Sequence, residues 1–427
     1  MVPIHEGYMS LAGNEVINSA RAVAYAAAVG QGFDCGICEH LPEFLGDEPY
    51  EEIGPDAPWW DPGQPQSWGF LGVFGLDAAG FDSNPVERNP VPLVGEGSAL
   101  GRLRRKHREM AFTVGLFALG ECQLIYGLEW LSSALRGSQC SDQTCNGDEL
   151  CMFACCPGCT DIPAATGEPG DNELRHLYDV GLLEGPTVTD VEELDAGVLF
   201  ATVTFTLAAG KPFIYREPMA AGVGWVPLGN GQLLTNTDPD AVYAQCKTAK
   251  PCSNDPLCPP PALPPKPPVP LSPCYPVGRS SFRRTRISLS PIDDAIWLES
   301  VPLIEVRAGA QDMRRLMIRF WANPQGNPCD VYQDPCAACT DINVGYLPAN
   351  SHLTIDGRTG RSVVECQQWP VGTSTSTPTI YGPQGKLFQY PTFICPTGLC
   401  IEVWSRQDFT ASDATARVLL VPRADMG

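Results

Sequence analysis

The sequence predicts a mainly β protein built as two β-rich domains on either side of a proline-rich spacer. Three observations predict it. Apolar and polar residues alternate with period two over Val198–Leu207, where Leu199, Val203, Phe205 and Leu207 face one way and Thr202, Thr204 and Thr206 the other. Short apolar runs follow one another at close intervals after residue 279, with no helical period among them. The chain also carries 42 prolines and 42 glycines in 427 residues, which supply the many turns and long loops of an all-β composition.

The first domain is expected over residues 1–245. Ser10–Asn18 reads as a short strand. It runs into Ser19–Val29, where alanine, the best helix former, dominates, Asn18 or Ser19 can cap the first amides, and Gly30 suits the C′ position. Cys35-Gly-Ile-Cys38 follows as a lone CxxC, for which a local or loop-closing disulfide is the simpler reading and zinc the other. Residues 39–67 form an acidic, proline-rich loop without periodicity. Its Trp59-Trp60 pair argues against disorder and either fastens the loop to its own domain or docks on a neighbouring subunit. Trp68–Phe81 reads as one strand, and Glu109–Ala118 as another, with Met110, Phe112, Val114 and Leu116 on one face.

The second of these strands has a basic start. In an extended chain Arg102, Arg104, Lys106 and Arg108 share a face, which suits pairing with acidic loops such as Glu39–Asp61 of a neighbour, a plain solvated face, or nucleic-acid contact. Over Glu121–Arg136 the period changes to helical, with Leu124, Leu128, Leu131 and Leu135 on one core-facing stripe that Gly137 ends. The insertion at residues 140–159 holds six cysteines (Cys140, Cys145, Cys151, Cys155, Cys156, Cys159), cross-linked by disulfides or, through Cys151, Cys155, Cys156 and Cys159, by zinc. Leu174–Glu184 is the next strand, and Gly185-Pro186 separates it from a further pair that includes Val198–Leu207.

The spacer is Cys246–Gly278. Its prolines fix φ and remove backbone donors, so Pro259–Pro273 lies extended and semi-rigid, reaching on the order of 45 Å at ~3.1 Å per residue. Cys246, Cys252, Cys258 and Cys274 can pin it, and a PxxP ligand for another protein is the rival reading. Beyond it, residues 279–427 carry eight short strands: Thr285–Ser290, Ala295–Arg307, Arg314–Trp321, Ile342–Tyr346, Leu353–Ile355, Ser362–Cys366, Leu399–Trp404 and Arg417–Val421. Asp356-Gly357 makes a hairpin turn between two of them, and the set reads as a β-sandwich or jelly roll. Cys336–Cys339 and Cys395–Cys400 read as loop ties.

A net charge of −21 disfavours sequence-independent attraction to nucleic acid or to an anionic membrane, and no stretch is long and apolar enough to cross one. Nineteen cysteines and only five histidines favour disulfides in an oxidising medium over a set of Cys/His metal sites. The start, with Glu6 and Glu15 and no basic region, is not a signal peptide. Synthesis in a cytosol followed by service outside it is satisfied by a virus particle released by lysis. No GxSxG, HExxH, phosphate-binding loop or dinucleotide fingerprint is present, and His5, His40, His107, His176 and His352 are scattered, so neither an enzyme nor a cofactor is expected. A glycosidase with carboxylates distant in sequence is the one enzymatic class left open.

Several stretches resemble the minor tail proteins of long-tailed phages infecting actinobacteria, the group with a distal-tail (Dit-like) architecture. They include Asn14–Tyr25, Ala57–Pro62 with Phe70–Val73, Gly101–Glu109, Tyr126–Leu131, Tyr178–Pro186, Phe205–Phe213, Val306–Gly309, Ile318–Pro324 and Leu353–Arg358. The resemblance implies an N-terminal β-sandwich belt domain that forms a ring, expected as a homo-hexamer, and an outer galectin-like or carbohydrate-module-like sandwich. It implies a structural virion protein at the distal end of the tail, made in the host cytoplasm. The ring would join the tail tube to the tip and host-recognition apparatus, with the tail tube protein, the tape measure protein and tail-tip hub or fibre proteins as partners. An acidic lumen lets DNA pass by like-charge repulsion. The proline run and the extra cysteines exceed what a minimal distal-tail protein needs. A secreted-type carbohydrate-binding adhesin or accessory β-sandwich protein is the alternative. For a host cell-wall glycan, Trp369 is the candidate stacking residue, while Trp404 is better read as core.

Overall fold

The computed structural model describes residues 4–32, 38, 41–46, 50, 52–137, 147–157, 174–194, 196–218, 224–235, 281–289, 298–323, 329, 338–368, 372–383, 386–394 and 398–425. The proline-rich spacer, Cys140, Cys145, Cys159, Trp369 and Cys395 lie outside them. The chain forms two compact units, residues 1–217 with 424–427, and residues 218–423. Among the described residues no helix is long and apolar enough to cross a membrane.

In the first unit the strands are β1 (His5–Leu11), β2 (Asn14–Asn18), β3 (Phe70–Ala79), β4 (Val86–Glu87), β5 (Val91–Pro92), β6 (Ser98–Ala99), β7 (Arg104–Arg105), β8 (Arg108–Ala118), β9 (Asp148–Phe153), β10 (Leu174–Glu193), β11 (Leu199–Ala209) and β12 (Ile214–Tyr215). The helices are α1 (Ser19–Ala28), α2 (Leu41–Leu45) and α3 (Glu121–Ala134). All pairings are antiparallel. One run is β2-β1-β9-β10, and the second half of β10 continues into β10-β11-β8-β3. The alternation of the sequence is visible in β11, whose Ala201, Val203, Phe205, Leu207 and Ala209 are buried while the threonines between them are half-buried. One core joins Met9, Leu11 and Ile17 of the first run to Val114, Leu116 and Val203 of the second. Gly75 of β3 permits the closest approach, since a Cβ there would sit 1.9 Å from the Glu6 carbonyl oxygen.

Helices α1 and α3 follow from local chemistry. The Asn18 side chain accepts from the Arg21 amide at 3.0 Å to cap α1, and Gly30 closes it at φ +91°. On α3 Leu124, Leu131 and Leu135 are buried, and Gly127 lies against the Phe70 ring, where a Cβ would come within 2.2 Å.

Two strand expectations are corrected. Ser10–Asn18 is not one strand but the end of β1, a turn and β2, because Ala12 and Gly13 both adopt positive φ (55° and 77°). Such a turn is not expected with alanine at its first central position. Gly185-Pro186 does not end a strand either, as β10 runs through it to Glu193. Among the described residues its second half pairs only with β11, so proline's missing donor leaves no gap in a ladder there.

The second unit contains β13 (Val226–Pro227), β14 (Gln232–Leu234), β15 (Phe282–Leu289), β16 (Glu299–Arg307), β17 (Met313–Ala322), β18 (Thr340–Leu347), β19 (Ser351–Asp356), β20 (Arg361–Gln368), β21 (Gly372–Ser376), β22 (Ile380–Tyr381), β23 (Leu399–Arg406) and β24 (Thr415–Ala424). Two antiparallel sheets, β13-β24-β16-β19-β20-β21 and β14-β15-β23-β17-β18-β22, contribute to one core. Ile304, Leu353 and Val418 come from the first sheet, and Ile318, Ile342 and Ile401 from the second. All eight strands expected after residue 279 are present. This is a mainly β protein, and its second unit is a sandwich.

The described disulfides are long-range. Cys38 bonds Cys156 across 118 residues and Cys329 bonds Cys400 across 71. The short tie expected within Cys395–Cys400 is therefore corrected: Cys400 stands opposite Trp321 in the β17–β23 ladder, beside Cys329.

Candidate functional site

The basic row begins where β3 and β8 are joined. Its four side chains do not share one face, because the chain leaves the sheet immediately before Arg108. Arg108 is buried and donates to the carbonyls of Pro212 at 3.0 Å, Gly80 at 2.6 Å and Ser83 at 3.0 Å, and also to that of Asp425. Burial pulls its pKa below the usual arginine value, with Asp425 and Asp82 opposing, and a guanidinium still remains charged. Arg105 holds the Asp425 carboxylate at 2.8 and 3.2 Å and lies over the Phe213 ring. Lys106 pairs with Glu87 at 3.1 Å, while Arg102 and Arg104 are exposed.

Between these anchors residues 82–107 form an arm. β4 pairs with β7 and, further out, β5 with β6; the Leu93 amide donates to the Gly97 carbonyl at 3.1 Å and Arg88 to that of Gly101 at 3.2 Å. The arm has no core of its own, since every residue from Arg88 to Leu100 is exposed. Val91, Leu93, Val94, Leu100 and Leu103 are 41–110% exposed. A cluster of exposed apolar side chains on a segment without its own core is the kind of surface that proteins use for contact.

Trp59 is buried within its own unit, against Tyr25 at 6.1 Å, Phe70 at 5.1 Å and Trp130 at 5.7 Å, and its carbonyl accepts from the Tyr126 hydroxyl at 2.6 Å. Trp60 is half-buried and packs edge-on to the exposed Trp68 at 5.9 Å. Trp404 is buried and donates to Glu402 at 3.0 Å.

Of the cysteines considered for zinc, Cys156 is in the disulfide with Cys38, Cys151 stands in β9 and Cys155 is exposed. The structure instead brings Cys151 beside His176, the residue directly across the β9–β10 ladder. His176 Nδ1 faces Glu149 Oε1 at 2.7 Å and Nε2 faces Glu217 Oε1 at 2.7 Å. In the sequence His176 is one of five scattered histidines. Glu149 is two residues from Cys151, and Glu217 two from Tyr215, the other cross-strand partner of His176. The period-two spacing that groups them acquires meaning only once the register is known.

No protein-family model matches the chain, and no curated protein matches it. Among solved structures, the crystal structure of the Dit protein of phage SPP1, described as a paradigm of the hub adsorption apparatus in phages infecting Gram-positive bacteria, is similar over 85% of this chain and 96% of that one, at 11% identity and a TM-score of 0.35.

Proposed function

We propose that this chain is a non-enzymatic structural protein of a phage tail tip, which assembles with copies of itself into a ring between the tail tube and the host-recognition apparatus. The observation that carries the reading is the arm at residues 82–107, a limb of paired short strands that leaves Val91, Leu93, Val94, Leu100 and Leu103 exposed, for which an isolated chain has no use. The sequence resemblance to distal-tail proteins supplies the setting, and a mainly β architecture with disulfides suits a particle released into an oxidising medium. Partners at the two faces of the ring would be the tube and tip proteins.

The test is the native mass of the purified full chain over a range of concentrations. A closed species of about six chains of 46.0 kDa, roughly 276 kDa, is expected. A strict monomer at every concentration, and on particles no label from an antibody to the chain at the tail end, would overturn the reading.

A further inference from the structure

The arm needs an acceptor, and the same unit displays one. From Gly181 onward β10 pairs only with β11 among the described residues, so the other edge of Leu182–Glu193 is open. Leu183, Val188 and Val191 on this segment are 41–56% exposed. It carries Glu184, Asp190, Glu192 and Glu193 and no basic residue, and none of the four carboxylates forms an ion pair among the described residues. The arm has the opposite character. Arg88, Arg102 and Arg104 are exposed beside its apolar residues and likewise without an ion pair among the described residues. In a chain with 49 acidic and 28 basic residues, the arm reverses the balance, with Arg88, Arg102, Arg104, Arg105 and Lys106 against Asp82, Glu87 and Glu96.

We propose, building on the ring reading above, that the arm of one copy docks along the Leu182–Glu193 edge of the next. Both surfaces combine apolar side chains with charge, and the charges are of opposite sign, which sets register and suppresses wrong pairings. The arm does not cover the edge of its own chain, since both remain exposed. The two patches differ, so the contact is head-to-tail and propagates to a closed ring when the rotation per copy closes. The docking is through side chains. The β10 register shifts at Leu182/Glu184, Glu184/Thr187 and Val188/Asp190, with Pro186 among them, interrupt the regular donor row that a strand added by main-chain pairing requires.

The test uses charge reversal at exposed positions of the full chain, followed by native mass against concentration. The arm variant carries Arg102→Glu and Arg104→Glu, and the edge variant Glu192→Lys and Glu193→Lys. Each alone should raise the concentration needed for assembly by at least about tenfold, with thermal unfolding unchanged. Mixed together they should assemble again, because the acidic arm then meets a basic edge and the basic arm an acidic one. Wild-type assembly that both variants reproduce overturns the docking assignment and leaves the ring reading standing. Loss in each variant without recovery on mixing overturns the pairing of these two surfaces. A monomeric wild type overturns the ring reading, and the docking falls with it.

Discussion

His176 is held between Glu149 and Glu217 by 2.7 Å contacts at both ring nitrogens, and a ring that donates from both nitrogens is an imidazolium. Burial opposes that charge, but hydrogen bonds to Cys151, Glu149 and Glu217 outweigh it, and the pKa is pushed up to about 11. The sign of the consequence follows from linkage. A group whose pKa is higher folded than unfolded stabilises fully below its unfolded value of 6.5, and progressively less as pH rises toward the folded value. His176→Gln should therefore cost on the order of 1 kcal/mol at pH 6.5, a modest figure because both carboxylates are more than a third exposed and screened. The gap between wild type and variant in urea unfolding should narrow by pH 9.5, and a gap independent of pH would refute the imidazolium clamp. Neither this cluster nor the role of Arg108 was legible in the sequence. Arg108 reads as one of four alternating cations, yet its partners are carbonyls at Gly80, Ser83, Pro212 and Asp425. Partners up to 317 residues away are a tertiary fact that no local period encodes.

At the scale of elements, what the sequence conveyed was whatever a single segment decides alone. The period-two burial of β11, the leucine stripe of α3 and the cap at Asn18 need only their own residues, and they were legible for that reason. The β1–β2 turn was not, because alanine in a left-handed conformation is tolerated only when the strands on either side require it. Disulfide connectivity belongs to the same class, since cysteine spacing does not specify pairing. The Cys38–Cys156 bond ties the segment before α2 to the end of β9, and Cys38, Leu41 and Phe153 are buried together around it. Closing a separation of 118 residues constrains the unfolded chain more than closing the 71 of Cys329–Cys400, by only about 0.5 kcal/mol because the dependence is logarithmic. Replacing Cys38 and Cys156 together by serine should lower the stability of the first unit by about 2–4 kcal/mol in chemical denaturation. A loss below about 1 kcal/mol would mean that Leu41, Phe153 and their neighbours already hold the segment without the bond.

The molecule as a whole has two cores, one in residues 1–217 with the chain end and one in residues 218–423. Each core is anchored by a buried guanidinium, and these two residues make the cores separately addressable. In the first unit Arg108 gathers four carbonyls, so Arg108→Met leaves oxygens without donors. In the second unit Arg319 meets Asp341 at 2.8 and 3.2 Å with both side chains almost wholly buried, so Asp341→Ala leaves a buried cation without its carboxylate. Leaving the Arg319 cation unpaired costs about 3–5 kcal/mol, which for a unit of this size corresponds to a fall in midpoint of roughly 6–20 °C, and leaving buried carbonyls without donors at Arg108→Met costs at least about 1–3 kcal/mol. Calorimetry of the full chain should resolve two transitions, with Arg108→Met lowering one and Asp341→Ala the other. In the two variants combined each transition should fall by the amount that its own substitution causes alone, because the sites share no partner. A single transition displaced equally by either substitution would show instead that the cores unfold as one cooperative body, and the stability of the first unit would then include that of the second.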